Sequence, residues 1–128
     1  MKRQEIPDGT EIANWYVRTV RTGPFVFVAG TTSLDPKGRI VGKTAEEQTH
    51  ATMKKIGRAL KSAGASFEDV TRLTIYATDL RDGPAITKAL SGYFKKARCA
   101  SALIGTTALA VQGLLVEIET TAVICDGK

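Results

Sequence analysis

The sequence predicts an α+β fold in which a mixed β-sheet carries two helices on one face. Strand-like and helix-like segments alternate in the order β-β-α-β-α-β-β along the 128 residues. Helices between strands imply crossover connections, which give a sheet with both parallel and antiparallel neighbours. Two helices can cover only one face of such a sheet, so the other face is either solvated or covered by another subunit. Because no repeat, linker or low-complexity tract interrupts this order, we expect residues 1–128 to form one domain.

The first two strands are predicted to form a hairpin. Segments 15–21 and 25–30 are rich in β-branched and aromatic residues, and Thr22-Gly23-Pro24 lies between them. This composition on both sides of a turn is typical of paired antiparallel strands. A second turn is predicted at 35–39, where the sequence reads DPKGR.

The first helix has the clearest signals in the chain. Thr44 and Glu47 have the spacing of a capping box, and Gly64 stands where a helix would end. Between them an apolar stripe recurs at helical spacing: Thr49, Met53, Ile56, Leu60 and Ala63. Four basic residues fall opposite this stripe and are predicted to form a solvated face: Lys54, Lys55, Arg58 and Lys61.

The second helix follows a predicted strand at 70–78. Pro84 suits a first helical position, whereas Gly92 weakens the last turn of the pattern. The apolar stripe of this helix consists of Ile86, Leu90, Tyr93 and Phe94.

Two further strands are predicted at 99–107 and 114–124. Successive side chains of a strand alternate between its faces, so Glu117 and Glu119 lie opposite Val116 and Ile118. One face of the last strand is therefore a core face. The other face needs a polar partner, solvent or a ligand.

Composition argues against several classes of protein. The net charge of +5 invites a nucleic-acid partner, but the basic residues are scattered and no aromatic residues interleave with them, so we regard such a partner as unlikely. No apolar run approaches the ~20 residues of a membrane span, and no secretory signal precedes the domain, so a cytoplasmic protein is expected. Cys99 and Cys125 lack the spacing of a metal site and are predicted to be free thiols. The single histidine, His50, is predicted to be solvated.

Three phrases are similar to the RidA/YjgF family, in the family's order and over nearly the whole chain: VFVAGTTSLDPKGRIVG, ALKSAGASFEDVTRLTIYATDL and LLVEIETTAV. The resemblance implies the chorismate-mutase-like α+β domain, assembled as a homotrimer with ligand clefts between its subunits. It also implies the hydrolysis of reactive enamines and imines, such as 2-aminoacrylate, to a carbonyl product and ammonia, without a metal or organic cofactor.

The resemblance also suggests site residues. Glu117 matches the family's glutamate in an E-I-E phrase on the last strand, which is thought to position water. Tyr16 matches a tyrosine at the cleft entrance, and Gly30 with Thr31 matches the loop beside the ligand.

The chain departs from the family at the arginine that binds the substrate carboxylate. That arginine closes a P-A-R phrase, and here Cys99-Ala100-Ser101 occupies the matching positions, so the chain is similar to branches of the family that lack it. A serine hydroxyl replaces neither the charge nor the reach of a guanidinium. Arg18 and Arg98 are the two candidates to substitute for it, and Arg18 is expected to share a strand face with Tyr16.

These features leave two main functions open. The first is an enamine or imine deaminase with an altered substrate range, in which Glu117 orients water. The alternative is a non-catalytic metabolite-binding or regulatory trimer of the same fold. An endoribonuclease or translation inhibitor is less well supported, because the chain has neither a histidine pair nor a coherent basic stripe.

Overall fold

The computed structural model describes residues 1–126, and their strands form a single sheet. The strands are β1 (Arg3–Ile6), β2 (Thr19–Thr22), β3 (Phe25–Thr31), β4 (Val70–Ala77), β5 (Ala100–Gly105) and β6 (Val116–Val123). The helices are α1 (Ala45–Ser62) and α2 (Gly83–Ser91). The sheet order is β1-β2-β3-β6-β4-β5, with β4 and β5 parallel and all other neighbours antiparallel. The predicted mixed sheet with two helices is confirmed.

Helix α1 begins and ends where its sequence predicts. The Thr44 side chain accepts a hydrogen bond from the Glu47 amide at 3.1 Å, and the Glu47 carboxylate accepts from the Thr44 amide at 3.1 Å. This reciprocal pair satisfies two amides that a helix start otherwise leaves without partners. The helix ends at Ser62, two residues before Gly64, whose φ of +81° lies in the left-handed region that glycine adopts freely.

The core lies between the helices and one face of the sheet. Helix α1 packs on β3 and β6, and α2 packs on α1. Fully buried side chains from both layers meet there: Val26, Met53, Ile56, Leu60, Ile86, Val116 and Ile118. Burying large aliphatic side chains of this kind is the main contribution to stability, at about 1.5–3 kcal/mol for each side chain.

The opposite face of the sheet is left open within the chain. On β6 the residues Glu117, Glu119 and Thr121 face this side, as the alternation predicts, while their neighbours along the strand are buried. Thr74 and Tyr76 on β4 and Val20 on β2 are half-buried, and Phe27 on β3 is 48% exposed. The exposed phenylalanine shows that this face of the sheet is not covered by other residues of the same chain.

Several predicted boundaries are wrong. The first hairpin strand begins at Thr19 rather than at 15, so Tyr16 and Arg18 belong to a loop and share no strand face. Strand β1 was not predicted, because its residues RQEI are polar and exposed and it is paired only with β2. Helix α2 ends at Ser91, before Gly92, and the strands predicted at 99–107 and 114–124 are each shorter than expected.

Two expectations about side chains have different outcomes. Cys99 and Cys125 are free thiols, as predicted. Lys55, in contrast, is only 7% exposed and does not belong to a solvated helix face. Within residues 1–126, none of the helices has the length and apolar character needed to cross a membrane.

Candidate functional site

A cavity of about 470 Å³ opens between the N-terminal loop (residues 8–18), the end of β3 and the start of β6. Five polar side chains line it: Thr10, Tyr16, Arg18, Thr32 and Glu117. The remaining wall is largely apolar, with Ile12, Ala13, Trp15, Leu34, Ala110 and Leu114. A mostly apolar wall with a few polar groups is the usual character of a small-molecule site.

Glu117 is the acidic group of this cavity. Its side chain is half-buried, and its carboxylate accepts no hydrogen bond from any residue of the described part of the chain. Burial raises the pKa of Glu117, the Arg18 guanidinium opposes this rise and the Glu119 carboxylate adds to it. The neighbouring Glu119 is exposed and accepts a hydrogen bond from the Tyr76 hydroxyl at 3.1 Å. Of the two carboxylates of the E-I-E phrase, Glu117 is therefore the one free to bind water or a ligand.

Gly30 makes room for the Glu117 carboxylate. The pairing of β3 with β6 shifts register between Val28 and Thr31, so the strand bulges at this point. A side-chain carbon at Gly30 would collide with Oε2 of Glu117. Glycine at position 30 therefore lets the carboxylate lie close to the strand, and an added side chain would displace the flexible end of Glu117.

Arg18 holds the N-terminal loop against the bulge. Its guanidinium Nη1 donates to the Gly30 carbonyl at 2.8 Å and to Thr31 Oγ1 at 3.2 Å. Nε donates to Asp8 Oδ2 at 3.2 Å, and Nη2 donates to Thr10 Oγ1 at 3.1 Å. These bonds occupy four of the five guanidinium N–H donors, and Arg18 is only 3% exposed. Arg18 is therefore a structural centre of the site with little capacity left to grip a substrate carboxylate.

The N-terminal loop is ordered by its own side chains. Glu11 accepts hydrogen bonds from the amides of Asp8, Gly9 and Arg18 at 2.8–3.0 Å. The Tyr16 hydroxyl accepts from the Ile12 amide at 2.9 Å and so closes the end of the loop. Trp15 is 83% exposed, and its ring centroid lies 5.2 Å from that of Tyr16 at the mouth of the cavity.

The structure brings together part of the predicted site. Tyr16, Arg18, Gly30 and Glu117 line one cavity, and Thr31 lies buried behind it in contact with Arg18. Arg98 and Ser101 do not line this cavity. Ser101 lies on β5, at the far edge of the sheet, where it pairs with Leu73 of β4. Arg98 is exposed just before β5.

Sequence reasoning missed the contribution of residues 8–13. Thr10, Ile12 and Ala13 line the cavity, although they belong to no helix or strand. The phrase PDGT, at 7–10, carries the turn chemistry that could have revealed an ordered loop, since Asp8 accepts from the Thr10 amide at 2.9 Å.

Metal chemistry has no support in the described residues, because no group of three or more His, Cys, Asp or Glu side chains there could hold an ion. His50 lies away from the cavity. It is half-buried rather than solvated, and its Nδ1 lies 2.8 Å from the hydroxyl of Tyr93.

Comparisons with known proteins show the family to which the chain belongs. The family described as endoribonuclease L-PSP matches residues 8–124. A RutC family protein of Pyrococcus abyssi is 34% identical over 108 residues, which cover 84% of each chain. A mouse protein named 2-iminobutanoate/2-iminopropanoate deaminase is 30% identical over 109 residues, covering 84% of this chain and 80% of its own.

Solved structures share the fold over almost the whole chain. A YjgF/YER057c/UK114 family protein from Mycobacterium tuberculosis is 37% identical with a TM-score of 0.87, covering 96% of this chain and all of its own. A YjgF family protein from Neisseria meningitidis is 26% identical with a TM-score of 0.84, covering 99% and 98%. With a family match over residues 8–124, the chain belongs to the endoribonuclease L-PSP family, the group of proteins also called YjgF, RidA and RutC.

Proposed function

We propose that the protein is a hydrolytic deaminase of a small enamine or imine. The observation that carries the proposal is Glu117, a half-buried carboxyl group that has no protein hydrogen bond in the described chain and lies in a cavity of metabolite size. Relatives about 30% identical are named 2-iminobutanoate/2-iminopropanoate deaminase and reactive intermediate deaminase, which supports the same reaction class. A cytoplasmic location belongs to this proposal.

Glu117 supplies the acid-base chemistry that the reaction requires. The reaction adds water to a C=N carbon and releases ammonia, leaving a C=O group. A carboxylate can hold the attacking water and take one of its protons, and the carboxylic acid can return that proton to the leaving nitrogen. A raised pKa suits both steps, because proton transfer is most effective when the pKa lies near the working pH.

The substrate range differs from that of relatives with the carboxylate-binding arginine. Ser101 provides no positive charge, and Arg18 already makes four hydrogen bonds within the protein. The exposed Trp15 and the apolar wall offer contacts to a larger hydrocarbon group. We therefore propose a bulkier or uncharged imine as the preferred substrate, and slow turnover of 2-aminoacrylate.

The proposed working form is a homotrimer with the cavity at a subunit boundary. Every residue of β5 is exposed, including Leu103 and Ile104 at 42% each, and the strand lies at the edge of the sheet. An exposed apolar edge strand is a surface that proteins normally cover. Arg98 and Ser101 would reach the cleft from a neighbouring copy, which explains why neither lines it within one chain.

A non-catalytic metabolite-binding trimer is the second candidate. The supporting observation is that the cavity has no cation free to bind a substrate carboxylate. Within residues 1–126, Arg18 is the one cationic side chain that lines the cavity, and it already makes four hydrogen bonds within the protein. RNA cleavage, which the family's description suggests, has less support because His50 is bonded to Tyr93 away from the cavity.

Replacing Glu117 separates the enzyme from the binding protein. Glu117→Gln keeps the size of the side chain but removes its proton chemistry. We expect turnover of the imine to fall about 100- to 10,000-fold, which is the usual contribution of general acid-base catalysis. The assay generates imines with a pyridoxal-phosphate dehydratase or an amino-acid oxidase and follows their decay.

Glu119→Gln is the matched control, because it makes the same change two residues away on the same strand face. Its turnover should stay within a few-fold of the native protein. Ligand affinity can be followed by the fluorescence of Trp15, the single tryptophan of the chain, which lines the cavity. Equal turnover by Glu117→Gln and the native protein would leave the binding function as the better account.

A further inference from the structure

A second cavity, of about 530 Å³, lies on the other side of the N-terminal loop, between one side of α1, the start of β2 and residues 33–41. Among the described residues it shares only Thr10 and Leu34 with the cavity beside Glu117. The proposed deaminase chemistry uses none of its charged groups.

The charges of this second cavity are unbalanced in favour of cations. Lys54, Lys55 and Arg58 line it, and within residues 1–126 none of the three forms an ion pair. Its two acidic residues are already engaged. Asp8 is paired with Arg18 at 3.2 Å, and Asp35 with Arg39 at 3.2 Å.

Lys55 is the unusual member of this group. It is 7% exposed, and its Nζ donates one hydrogen bond, to the Leu34 carbonyl at 2.8 Å. An ammonium group has three donors, so two of them lack a protein acceptor in the described chain. Taking a charged amine out of water is costly unless further partners compensate it.

Two hydroxyl groups that line the same cavity as Lys55 also lack partners. Thr19 and Ser33 line the cavity, each is 1% exposed, and neither Oγ forms a hydrogen bond within residues 1–126. Buried hydroxyl groups without a partner are uncommon in folded proteins, and each needs a physical explanation. Here two of them line the same cavity as a buried ammonium group with spare donors.

We infer that this cavity is a second ligand site, which binds a small oxyanion such as a phosphate or carboxylate group. The Lys55 ammonium is its inner anchor, Lys54 and Arg58 supply positive charge at the rim, and the walls carry the Thr19 and Ser33 hydroxyls. The cavity is large enough to take the rest of a metabolite-sized molecule along with the anionic group. The site is separate from the cleft in which Glu117 acts, so it does not depend on the proposed deaminase activity.

Calorimetric titration with inorganic phosphate and with succinate tests the site, at constant ionic strength set with sodium chloride. We expect saturable binding of one anion per chain by at least one probe. The stronger probe distinguishes a phosphate site from a carboxylate site. Lys55→Met should weaken binding about tenfold to a hundredfold, the range expected for losing a hydrogen bond to a charged group.

Lys61→Met is the matched control, because Lys61 is exposed on the same helix and does not line the cavity. Its affinity should stay within about twofold of the native value. Equal losses in both variants would mean diffuse attraction to a basic surface, and unchanged binding by Lys55→Met would mean a different site. Either result, or no saturable binding of either anion, overturns the inference.

A measurement on the native chain avoids any dependence on how the variant folds. The NMR signal of the Lys55 ε-methylene should shift on titration with the anion, and the Trp15 fluorescence should not change. A change at Trp15 with no shift at Lys55 would assign the anion to the cleft beside Glu117 and would overturn the inference.

Discussion

At the scale of single residues, Arg18 and Lys55 are two buried cations that differ in how many hydrogen bonds they make. Arg18 uses four of its donors on protein acceptors, whereas Lys55 has one acceptor. Burial brings the pKa of Lys55 down to about 8, the Arg18 and Arg58 charges act in the same direction, and the Asp8 and Glu11 carboxylates oppose them. The lysine thus remains charged at neutral pH only at a cost to the folded state.

This cost predicts how stability depends on pH. In the unfolded chain the lysine keeps its ordinary pKa of 10.5, so between about pH 8 and 10.5 the unfolded state binds more protons than the folded state. Stability from this group therefore rises with pH across that window and is constant below it. We expect the free energy of unfolding, measured in urea from pH 7 to 10, to rise for the native protein relative to Lys55→Met.

The comparison with Lys55→Met cancels the titration of every other group, provided that protein concentration is held fixed. Lys61→Met, which removes an exposed lysine from the same helix, should follow the native curve. Parallel curves for the native protein and Lys55→Met would contradict a lowered pKa for Lys55.

Ser101 is the second residue whose substitution tests a prediction. If it occupies the position of the carboxylate-binding arginine, Ser101→Arg should lower the KM for 2-aminoacrylate. A hydrogen bond to a charged group contributes about 1.5–3 kcal/mol, which corresponds to tenfold to more than a hundredfold in affinity. The decay of enzymatically generated 2-aminoacrylate measures the effect.

Ala102→Arg is the control for this change. Ala102 is exposed on the same strand and, by alternation, its side chain points to the face opposite that of Ser101, so it adds the same charge at a different position. A similar gain from both variants would argue that general positive charge, and not the position of Ser101, attracts the substrate. Brisk turnover by the native protein would indicate that another group already binds the carboxylate.

At the scale of elements, the site depends on an irregularity in β3. The bulge near Gly30 leaves the Gly30 carbonyl to accept from Arg18, and the missing side chain at Gly30 admits the Glu117 carboxylate. The N-terminal loop, the bulge and the last strand are thus joined through one arginine and one glutamate.

Gly30→Ala tests this arrangement. The added carbon would collide with Glu117 Oε2, so the carboxylate must turn away or the bulge must shift. We expect imine turnover to fall at least tenfold while far-UV circular dichroism stays unchanged, since a small misplacement of a reacting group is costly. Gly92→Ala is the control, because the nearest atom to its added carbon lies 4.0 Å away. Full activity in Gly30→Ala would contradict the close approach.

The elements that sequence predicted well are those with local signals. The capping box and apolar stripe determine α1 almost to the residue, and alternation assigns Glu117 to the open face. The strand predicted from residue 15 is wrong because Arg18 is held in a loop, where its amide donates to Glu11 and its guanidinium donates to Asp8. These hydrogen bonds follow no regular spacing along the sequence, so no periodic pattern predicts them.

Burial of Lys55 also had a signal that was overlooked. Residue 55 lies three positions after Thr52 and four before Ala59, and both are buried, so its helical position belongs to the inner side of α1. Lys55 was predicted to be solvated because it is charged, although its position on the helix predicts burial. No comparable signal relates Arg98 and Ser101 to Glu117, because neither residue lines its cavity within one chain and the contact we propose comes from a neighbouring copy.

At the scale of the whole molecule, the chain leaves apolar side chains exposed on the open face of the sheet and along strand β5. Phe27 is 48% exposed on the open face, and Leu103 and Ile104 are 42% exposed on β5. The parallel pairing of β4 with β5 leaves the outer edge of β5 without a partner in the described residues. Edge strands that stay unpaired and apolar promote association, so a stable assembly is expected.

The homotrimer that we propose would satisfy this requirement and complete the proposed cleft. Static light scattering at micromolar concentration should give about three times the chain mass of 13.7 kDa. Leu103→Lys adds charge to the exposed edge and should shift the mass towards that of the single chain, because burying an unpaired ammonium group at an interface is unfavourable. Lys88→Glu on the exposed side of α2 is the charge-changing control and should remain trimeric. If the trimer also forms the active cleft, loss of assembly in Leu103→Lys should abolish imine turnover even though Glu117 is intact. A fully active monomer would contradict the proposal that neighbouring copies contribute to the site.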